Sequence, residues 1–161
     1  MDDGRVRRAG PADAAALVEL RAAMFAAMGT DPGPPDAPWR AAALDWFGER
    51  LARPDRFAAC VVDDPASGRV VSGAAAEVEQ HTPNPWNPGG ARAELFNVSS
   101  LPGSQGRGYA RACVAEVLAW VREETTVGTV RLSATPPGFG IYRALGFTET
   151  RYPAMRLLLE R

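Results

Sequence analysis

The spacing of apolar residues changes along the chain, and each change predicts a new secondary-structure element. Helical spacing begins near Pro11, and Pro and Gly then predict a loop over residues 29–38. A second helix is expected over residues 39–52, with Pro54 just beyond its end. Four apolar residues of the first helix recur three or four positions apart, which places them on one face: Leu17, Leu20, Met24 and Met28.

The middle of the chain has the composition of β-strands. Residues 57–62 and 69–78 are rich in Val and Ala, and the PASG turn between them predicts a hairpin. Residues 80–92 are rich in Pro, Asn and Gly, and a loop of this length is typical of a functional surface loop. A third strand is expected over residues 93–100.

The last third of the chain returns to helical spacing. We expect a long helix over residues 106–124, a strand over 127–134 and a short helix over 136–145. Residues Leu157 to Leu159 predict a final buried strand. With a weak first strand at residues 4–9, the predicted order is β-α-α-β-β-β-α-β-α-β. This order indicates a single α/β or α+β domain over residues 1–161, a mixed sheet with helices on its faces.

Composition and net charge exclude several classes of function. The 161 residues carry a net charge of −1, which argues against a general nucleic-acid binder. All 18 basic residues are Arg, so a P-loop lysine and Schiff-base chemistry are excluded. With one histidine, His81, and two cysteines, Cys60 and Cys113, multi-histidine and four-thiolate metal sites are excluded, and we expect no metal. The cysteines and the absence of an apolar leader or membrane-length stretch predict a cytoplasmic protein with reduced thiols.

The segment most informative about chemistry is NVSSLPGSQGRGYAR, residues 97–111. It combines the end of a strand, a Gly-rich turn and the start of a helix, where free backbone N–H groups and the helix dipole favour an anion. Arg107 adds a fixed positive charge. Such a turn predicts a phosphate or pyrophosphate site, although it can also serve only to reverse the chain. The dinucleotide-binding fingerprint fits poorly, because Arg111 stands where its third glycine is expected.

Three stretches resemble the GCN5-related N-acetyltransferase (GNAT) family, which transfers acetyl from acetyl-CoA to amines. Gln105-x-x-Gly108-x-Ala110 is similar to the family signature Q/R-x-x-G-x-G/A. Upstream, residues 95–98 (LFNV) followed by Pro102 resemble the family's central strand and loop. Downstream, residues 141–147 (IYRALGF) resemble the end of its last helix. The signature at residues 105–110 and the motif at residues 141–147 occur in order and on the expected elements, whereas the first 55 residues match the family in pattern only.

The resemblance implies a mostly antiparallel central sheet with splayed strands, and acetyl-CoA as acyl donor. It implies direct acetyl transfer, in a ternary complex, to a primary amine of a small molecule or a protein N-terminus. Homodimers are common in the family; no nucleic acid or membrane partner is implied. The residues that would bind the donor lie on the strand, in the turn and before the last helix: Val98, Ser99, Ser100, Gln105, Gly106, Arg107, Gly108, Tyr109, Ala110 and Thr135. Thr135 replaces a common family Asn, so it can serve purely as a helix cap.

Catalysis requires a base, because an alkyl amine with a pKa near 10.4 is almost entirely protonated at pH 7. Glu94 is our first candidate, because its offset from Gln105 resembles that of the base glutamate in histone-type members of the family. Glu77 and Glu79 on the preceding strand are weaker candidates, and the alternative for Glu94 is a solvent-exposed carboxylate at a strand edge. Tyr142 matches the family tyrosine that protonates the leaving thiolate; otherwise it is a core aromatic residue.

The sequence is also compatible with two functions other than acetyl transfer. One is an acyl-CoA-binding regulatory module that keeps the anion site but transfers nothing. The other is a nucleotide-binding domain that prefers NAD or ATP to CoA.

Overall fold

A computed structural model describes residues 4–161 of the chain. Two short 3-10 turns, Pro11–Asp13 and Pro136–Gly138, precede helices. The strands and helices run in this order: β1 (Val6–Arg8), α1 (Ala14–Ala27), α2 (Pro38–Leu51), β2 (Phe57–Asp63), β3 (Val70–Gln80), β4 (Ala91–Ser100), α3 (Tyr109–Glu124), β5 (Val130–Arg131) and α4 (Phe139–Ala144).

The five strands form one mixed sheet in the order β1-β2-β3-β4-β5. Neighbouring strands are antiparallel from β1 to β4, whereas β4 and β5 are parallel. A parallel pair needs a crossover, and α3 supplies it. The predicted fold class, a mixed and mostly antiparallel sheet flanked by helices, is confirmed.

Helices cover both faces of the sheet, so the central strands are buried on both sides. Alternate residues of β2 belong to different cores: Ala58, Cys60 and Val62 pack with α3, whereas Phe57, Ala59 and Val61 pack with α1 and α2. This burial explains why β2 and β3 are nearly continuous apolar runs. No helix in residues 4–161 is long and apolar enough to cross a membrane.

Several element boundaries differ from the sequence-based expectations. α3 begins at Tyr109 rather than at residue 106, because Gly106 and Gly108 have φ angles of +73° and +79°, which no right-handed helix accepts. The loop predicted over residues 80–92 is trimmed at both ends by the strands.

The structure also corrects both predicted C-terminal strands. β5 covers only Val130–Arg131 of the expected 127–134, because it pairs with β4 at two positions only. The expected buried strand at Leu157 to Leu159 is wrong: these leucines are 67–81% exposed. Apolar character alone does not make a strand where the backbone has no neighbouring strand to pair with.

A β-bulge interrupts the pairing of β3 with β4. Gly73 is opposite Ser99, and Ala75 is opposite Phe96, so β4 carries one more residue than β3 in this interval. Asn97 lies in the bulge with a φ of +55°, the only non-glycine residue with positive φ in the described part of the chain. Asn tolerates this left-handed conformation better than most residues.

The Asn97 side chain ties the bulge to α1. Its amide Nδ2 donates to the carbonyl oxygen of Leu17 at 3.2 Å, and its Oδ1 accepts from Arg21 Nη1 at 3.4 Å. Asn97 is 1% exposed, so each of these polar groups would lack water if its partner were lost. The path of β4 beyond the bulge therefore depends on one buried polar side chain.

We predict that Asn97→Ala lowers the free energy of unfolding more than Asn97→Gly does. Both variants lose the hydrogen bonds, but only Ala also has to adopt φ of +55°, at a cost of about 1–2 kcal/mol. Urea denaturation with equal m-values measures the difference. Equal stabilities of the two variants would show that the bulge relaxes.

Candidate functional site

The turn between β4 and α3, residues 101–108, presents a row of free backbone amides. Among residues 4–161, none of the N–H groups from Gln105 to Arg111 has a hydrogen-bond acceptor, and the first bond into α3 runs from Ala112 N to Gly108 O (3.0 Å). Unpaired amides at a helix N-terminus carry partial positive charge and suit an anion. The exposed Arg107 lies in the same turn.

Two glycines keep this turn open. A Cβ added to Gly106 or Gly108 would meet no heavy atom within 4 Å, so no side chain fills the space over the turn. Both residues are exposed, and their positive φ angles point successive amides outward in a way that L-residues rarely adopt. The geometry is that of an open anion-binding concavity.

A gap between β4 and β5 begins beside this turn. The two strands pair only at Ala93 with Val130 and at Glu94 with Arg131, after which β4 continues to Ser100 without a partner on that side. Residues 95–100 of β4 therefore have no neighbouring strand on the β5 side.

The backbone of β4 beyond the bulge faces this gap. Leu101 N donates to Val71 O at 2.8 Å, which fixes the orientation of the strand end toward β3. Since alternate residues of a strand face the same neighbour, the peptide groups of Val98 and Ser100 point the other way, into the gap. Ser72, which is fully buried, donates from its hydroxyl to the carbonyl oxygen of Ser99 at 3.0 Å. The gap is therefore lined by backbone groups that an extended ligand can pair with.

Tyr142 is positioned by the end of α4. Gly146 has a φ of +95° and donates to Arg143 O, and Phe147 N donates to Tyr142 O, both at 3.0 Å. These two bonds form a Schellman motif, with Gly146 at the C′ position. The Phe147 ring packs edge-on against Tyr142, with centroids 5.9 Å apart.

The Tyr142 hydroxyl is free to act on a ligand. It has no hydrogen-bond partner in the described part of the chain, and partial burial raises the pKa of the phenol above its usual value of 10. Tyr142 lines a cavity of about 880 Å³ bounded by α3, β5 and α4. None of the residues of the turn 101–108 is among those that line this cavity.

Glu94 lies among other carboxylates on β4 and β3. It is directly opposite Glu77, and Glu79 is two residues further along the same strand. Partial burial raises the pKa of Glu94, and the negative charge of Glu79 raises it further. Glu77 instead accepts from Arg50 Nε at 3.3 Å, which ties it into an ion pair. The raised pKa of Glu94 suits a proton acceptor.

Glu94 and Tyr142 lie on opposite faces of the sheet. Glu94 alternates with Leu95, which packs on the α3 face, so Glu94 and Phe96 share the face covered by α1 and α2. Tyr142 packs against the core on the α3 face. The arrangement places a candidate proton acceptor on one face of the sheet and a candidate proton donor on the other.

Thr135 lies immediately before the turn that leads into α4. Its carbonyl oxygen accepts from Gly138 N at 3.0 Å, but its hydroxyl makes no capping hydrogen bond. The side chain is half-buried and does not act as the helix cap that was the alternative to a donor contact.

The loop between β3 and β4 lies mostly at the surface, and Trp86 in this loop is 92% exposed. His81 contacts Glu79, one of the three candidate bases, with 3.0 Å between His81 Nε2 and Glu79 Oε2. No group of three or more His, Cys, Asp or Glu side chains suited to a metal occurs within residues 4–161.

Neither cysteine is a nucleophile. Both are buried and unpaired, and burial raises the pKa of Cys60 to about 11 and that of Cys113 to about 12. Both thiols are therefore protonated at neutral pH.

Asn97 and Ser72 shape the site but were not singled out from the sequence. Asn97 had a signal, because a single Asn inside an apolar strand is typical of a bulge. Ser72 had none, since its role depends on which β4 carbonyl lies opposite.

The sequence model of the Acetyltransferase (GNAT) family matches residues 16–147. The chain belongs to this family, and the fold and the family together define it as an acyltransferase. No curated protein sequence matches it significantly.

Solved structures share the fold at low sequence identity. A predicted acetyltransferase with acetyl-CoA from Clostridium acetobutylicum has a TM-score of 0.79 at 20% identity, covering 94% of this chain and 95% of that one. A GCN5-related N-acetyltransferase from Ralstonia eutropha JMP134 has a TM-score of 0.76 at 24% identity, covering 95% and 97%. An aminoglycoside N-acetyltransferase in complex with CoA has a TM-score of 0.66 at 21% identity, covering 98% and 93%.

Proposed function

We propose that the protein transfers acetyl from acetyl-CoA to a primary amine, of a small molecule or a protein N-terminus, by direct attack in a ternary complex. The observation that carries the proposal is the row of free amides from Gln105 to Arg111 beside the gap between β4 and β5. Residues 1–161 act as a single N-acetyltransferase domain, in the cytoplasm, where its thiols stay reduced.

Three regions of the protein would bind the donor. Its diphosphate would lie on the amides of Gly106 to Ala110, with Gln105 and Arg107 beside it. Its extended arm would pair with the backbone of residues 98–100, which faces the gap. The half-buried hydroxyl of Thr135 is free to contact the donor, because it makes no capping bond.

The reaction moves two protons and exchanges one bond for another. The neutral amine attacks the thioester carbonyl carbon, so that a C–N bond forms and the C–S bond breaks. Glu94 accepts the proton from the amine, directly or through water, and its raised proton affinity suits that task. Tyr142 donates its hydroxyl proton to the leaving thiolate, and its raised pKa keeps that proton available at neutral pH.

The proposal is tested by measuring thiol release from acetyl-CoA with panels of amines, aminoglycosides, polyamines and peptides. Calorimetry with CoA, NAD and ATP runs alongside. We expect CoA to bind most tightly and at least one amine class to accelerate thiol release. Preference for NAD or ATP would overturn the donor assignment, and CoA binding without turnover on any panel would favour a regulatory module.

Gly108→Ala should weaken CoA binding by about tenfold or more, equivalent to 1.4 kcal/mol. The new Cβ projects into the open space over the amides, and φ of +79° strains an L-residue. Gly103→Ala is the matched control, since Gly103 has a φ of +87° and equally open surroundings but precedes the free amides. Calorimetry gives both affinities; equal losses would mean that strain, not occupation of the site, is responsible.

Tyr142→Phe should lower kcat by about 10²-fold while CoA affinity stays nearly constant, because only the transferable proton is lost. The control is Tyr152→Phe, which removes a hydroxyl from a tyrosine that is 73% exposed. Steady-state kinetics and calorimetry separate the two quantities. An unchanged kcat would return Tyr142 to the role of a core aromatic residue.

Glu94→Gln should remove the acidic limb of the pH profile of kcat/KM. A base works when deprotonated, so activity rises as pH passes through the pKa, and the raised pKa of Glu94 places that rise above the usual glutamate range. Glu77→Gln, at the paired position on β3, should leave the limb in place. If the limb persists in Glu94→Gln, another group or a water chain removes the proton.

A further inference from the structure

A second cavity, of about 300 Å³, lies where α2 ends and β2 begins, on the face of the sheet that α1 and α2 cover. Charged side chains make up five of its six lining residues: Glu49, Arg50, Arg53, Arg56, Phe57 and Glu77. Three arginines and two glutamates leave it with one net positive charge. We name it the arginine cavity.

Arg50 pairs with both glutamates of the arginine cavity. Its Nε donates to Glu77 Oε1 at 3.3 Å, and its Nη1 lies 3.6 Å from Glu49 Oε2. Its guanidinium also lies over the ring of Trp46, with 4.1 Å between Cζ and the ring centroid. Arg50 is therefore held as part of the cavity wall, and its charge is already balanced.

Arg53 and Arg56 have no such partners. Within residues 4–161 neither forms an ion pair with a carboxylate, and the Arg56 guanidinium makes one long hydrogen bond, from Nη2 to Val78 O at 3.5 Å. The backbone fixes both residues, because Arg56 N donates to Arg53 O at 3.0 Å and Val78 N donates to Arg56 O at 2.7 Å. A carboxylate or phosphate in the cavity would therefore meet two uncompensated guanidiniums on a fixed turn.

The arginine cavity adjoins the candidate base. Phe57, Glu77 and Glu94 are paired across β2, β3 and β4, so their side chains share one face. Two strand spacings separate β2 from β4, about 10 Å. Glu94 forms no ion pair in the described part of the chain, whereas Glu77 is already paired, and Glu79 and Arg92 lie opposite each other. This face therefore has an uncompensated carboxylate at one end and uncompensated guanidiniums at the other.

We infer that the acceptor carries opposite charges at its two ends: a carboxylate or phosphate bound by Arg53 and Arg56, and, several methylene groups away, the amine that reaches Glu94. The inference rests on the proposed acetyl transfer. The ammonium form of the amine is attracted to Glu94 and the anion to the guanidiniums, so the two charges orient the acceptor along the face. Arg53 and Arg56 then determine which amines are accepted.

A binding experiment tests the inference without requiring a reaction. Calorimetry, with and without CoA, compares three primary amines with the same chain length: 6-aminohexanoate, 6-aminohexyl phosphate and the neutral 6-aminohexanamide. We expect at least one anionic probe to bind about tenfold or more tightly than the amide. The carboxylate and phosphate arms show which anion fits the arginine cavity. Equal affinities for all three probes overturn the inference.

Arg53→Gln/Arg56→Gln should abolish this preference, with affinity for the favoured anionic probe falling about tenfold or more and affinity for the amide unchanged. Arg69→Gln/Arg122→Gln is the matched control, because it removes two exposed arginines elsewhere on the chain and should keep the preference. Circular dichroism verifies that each variant is folded. A preference that survives in Arg53→Gln/Arg56→Gln, or that the control loses equally, overturns the assignment to the arginine cavity.

Thiol release from acetyl-CoA separates this inference from the proposed function. If the anionic probes bind as expected but no amine accelerates thiol release, the acetyl transfer is wrong and the binding of a doubly charged ligand at the arginine cavity stands. If amines are acetylated but the amide has the same kcat/KM as the anionic probes, the transfer stands and the inference about the acceptor is overturned.

Discussion

The parting of β4 from β5 is the constraint on which the rest of the structure depends. Two residue pairs join these strands, and beyond them β4 has peptide groups that no protein strand satisfies. Unpaired backbone is tolerated only where water or a ligand reaches it. The bulge at Asn97 and its bonds to α1 hold β4 on its separate course, and α3 begins beside the opening with its own amides free. The short pairing of β4 with β5 thus leaves a gap between the two strands, and the free amides at the start of α3 lie beside that gap.

Burial acts on the two candidate catalytic groups in the same direction but with different consequences. It raises the pKa of Tyr142, which keeps a proton donor protonated, and it raises the pKa of Glu94, which makes a proton acceptor more basic. Both shifts arise chiefly because partial burial disfavours the charged form of each group, and the charge of Glu79 adds to the shift of Glu94. The neighbouring Glu77 forms an ion pair with Arg50 instead. Two carboxylates on adjacent strands therefore have different partners, and only Glu94 is our candidate proton acceptor.

Features set by local chemistry were predictable from the sequence. Gly106 and Gly108 open the turn, and Gly146 ends α4, because each needs a positive φ that few other residues accept. The Val- and Ala-rich strands follow from burial on both faces. The bulge at Asn97 and the short β5 were not predicted, since both depend on which residues lie opposite in the sheet. Leu157 to Leu159 were assigned to a buried strand because they are apolar. Composition does not show whether the rest of the chain packs against such residues, and here it does not.

The gap and the short pairing of β5 have a common physical origin. A strand held to its neighbour by two residue pairs is weak, and lengthening that pairing would close the slot in which the proposed donor lies. The stabilisation that β5 lacks must therefore come from the helices that cover it. Val127 and Val130 pack against the core that contains α3. The helix that begins at the free amides therefore also supports β5, so the slot can stay open without leaving β5 unsupported.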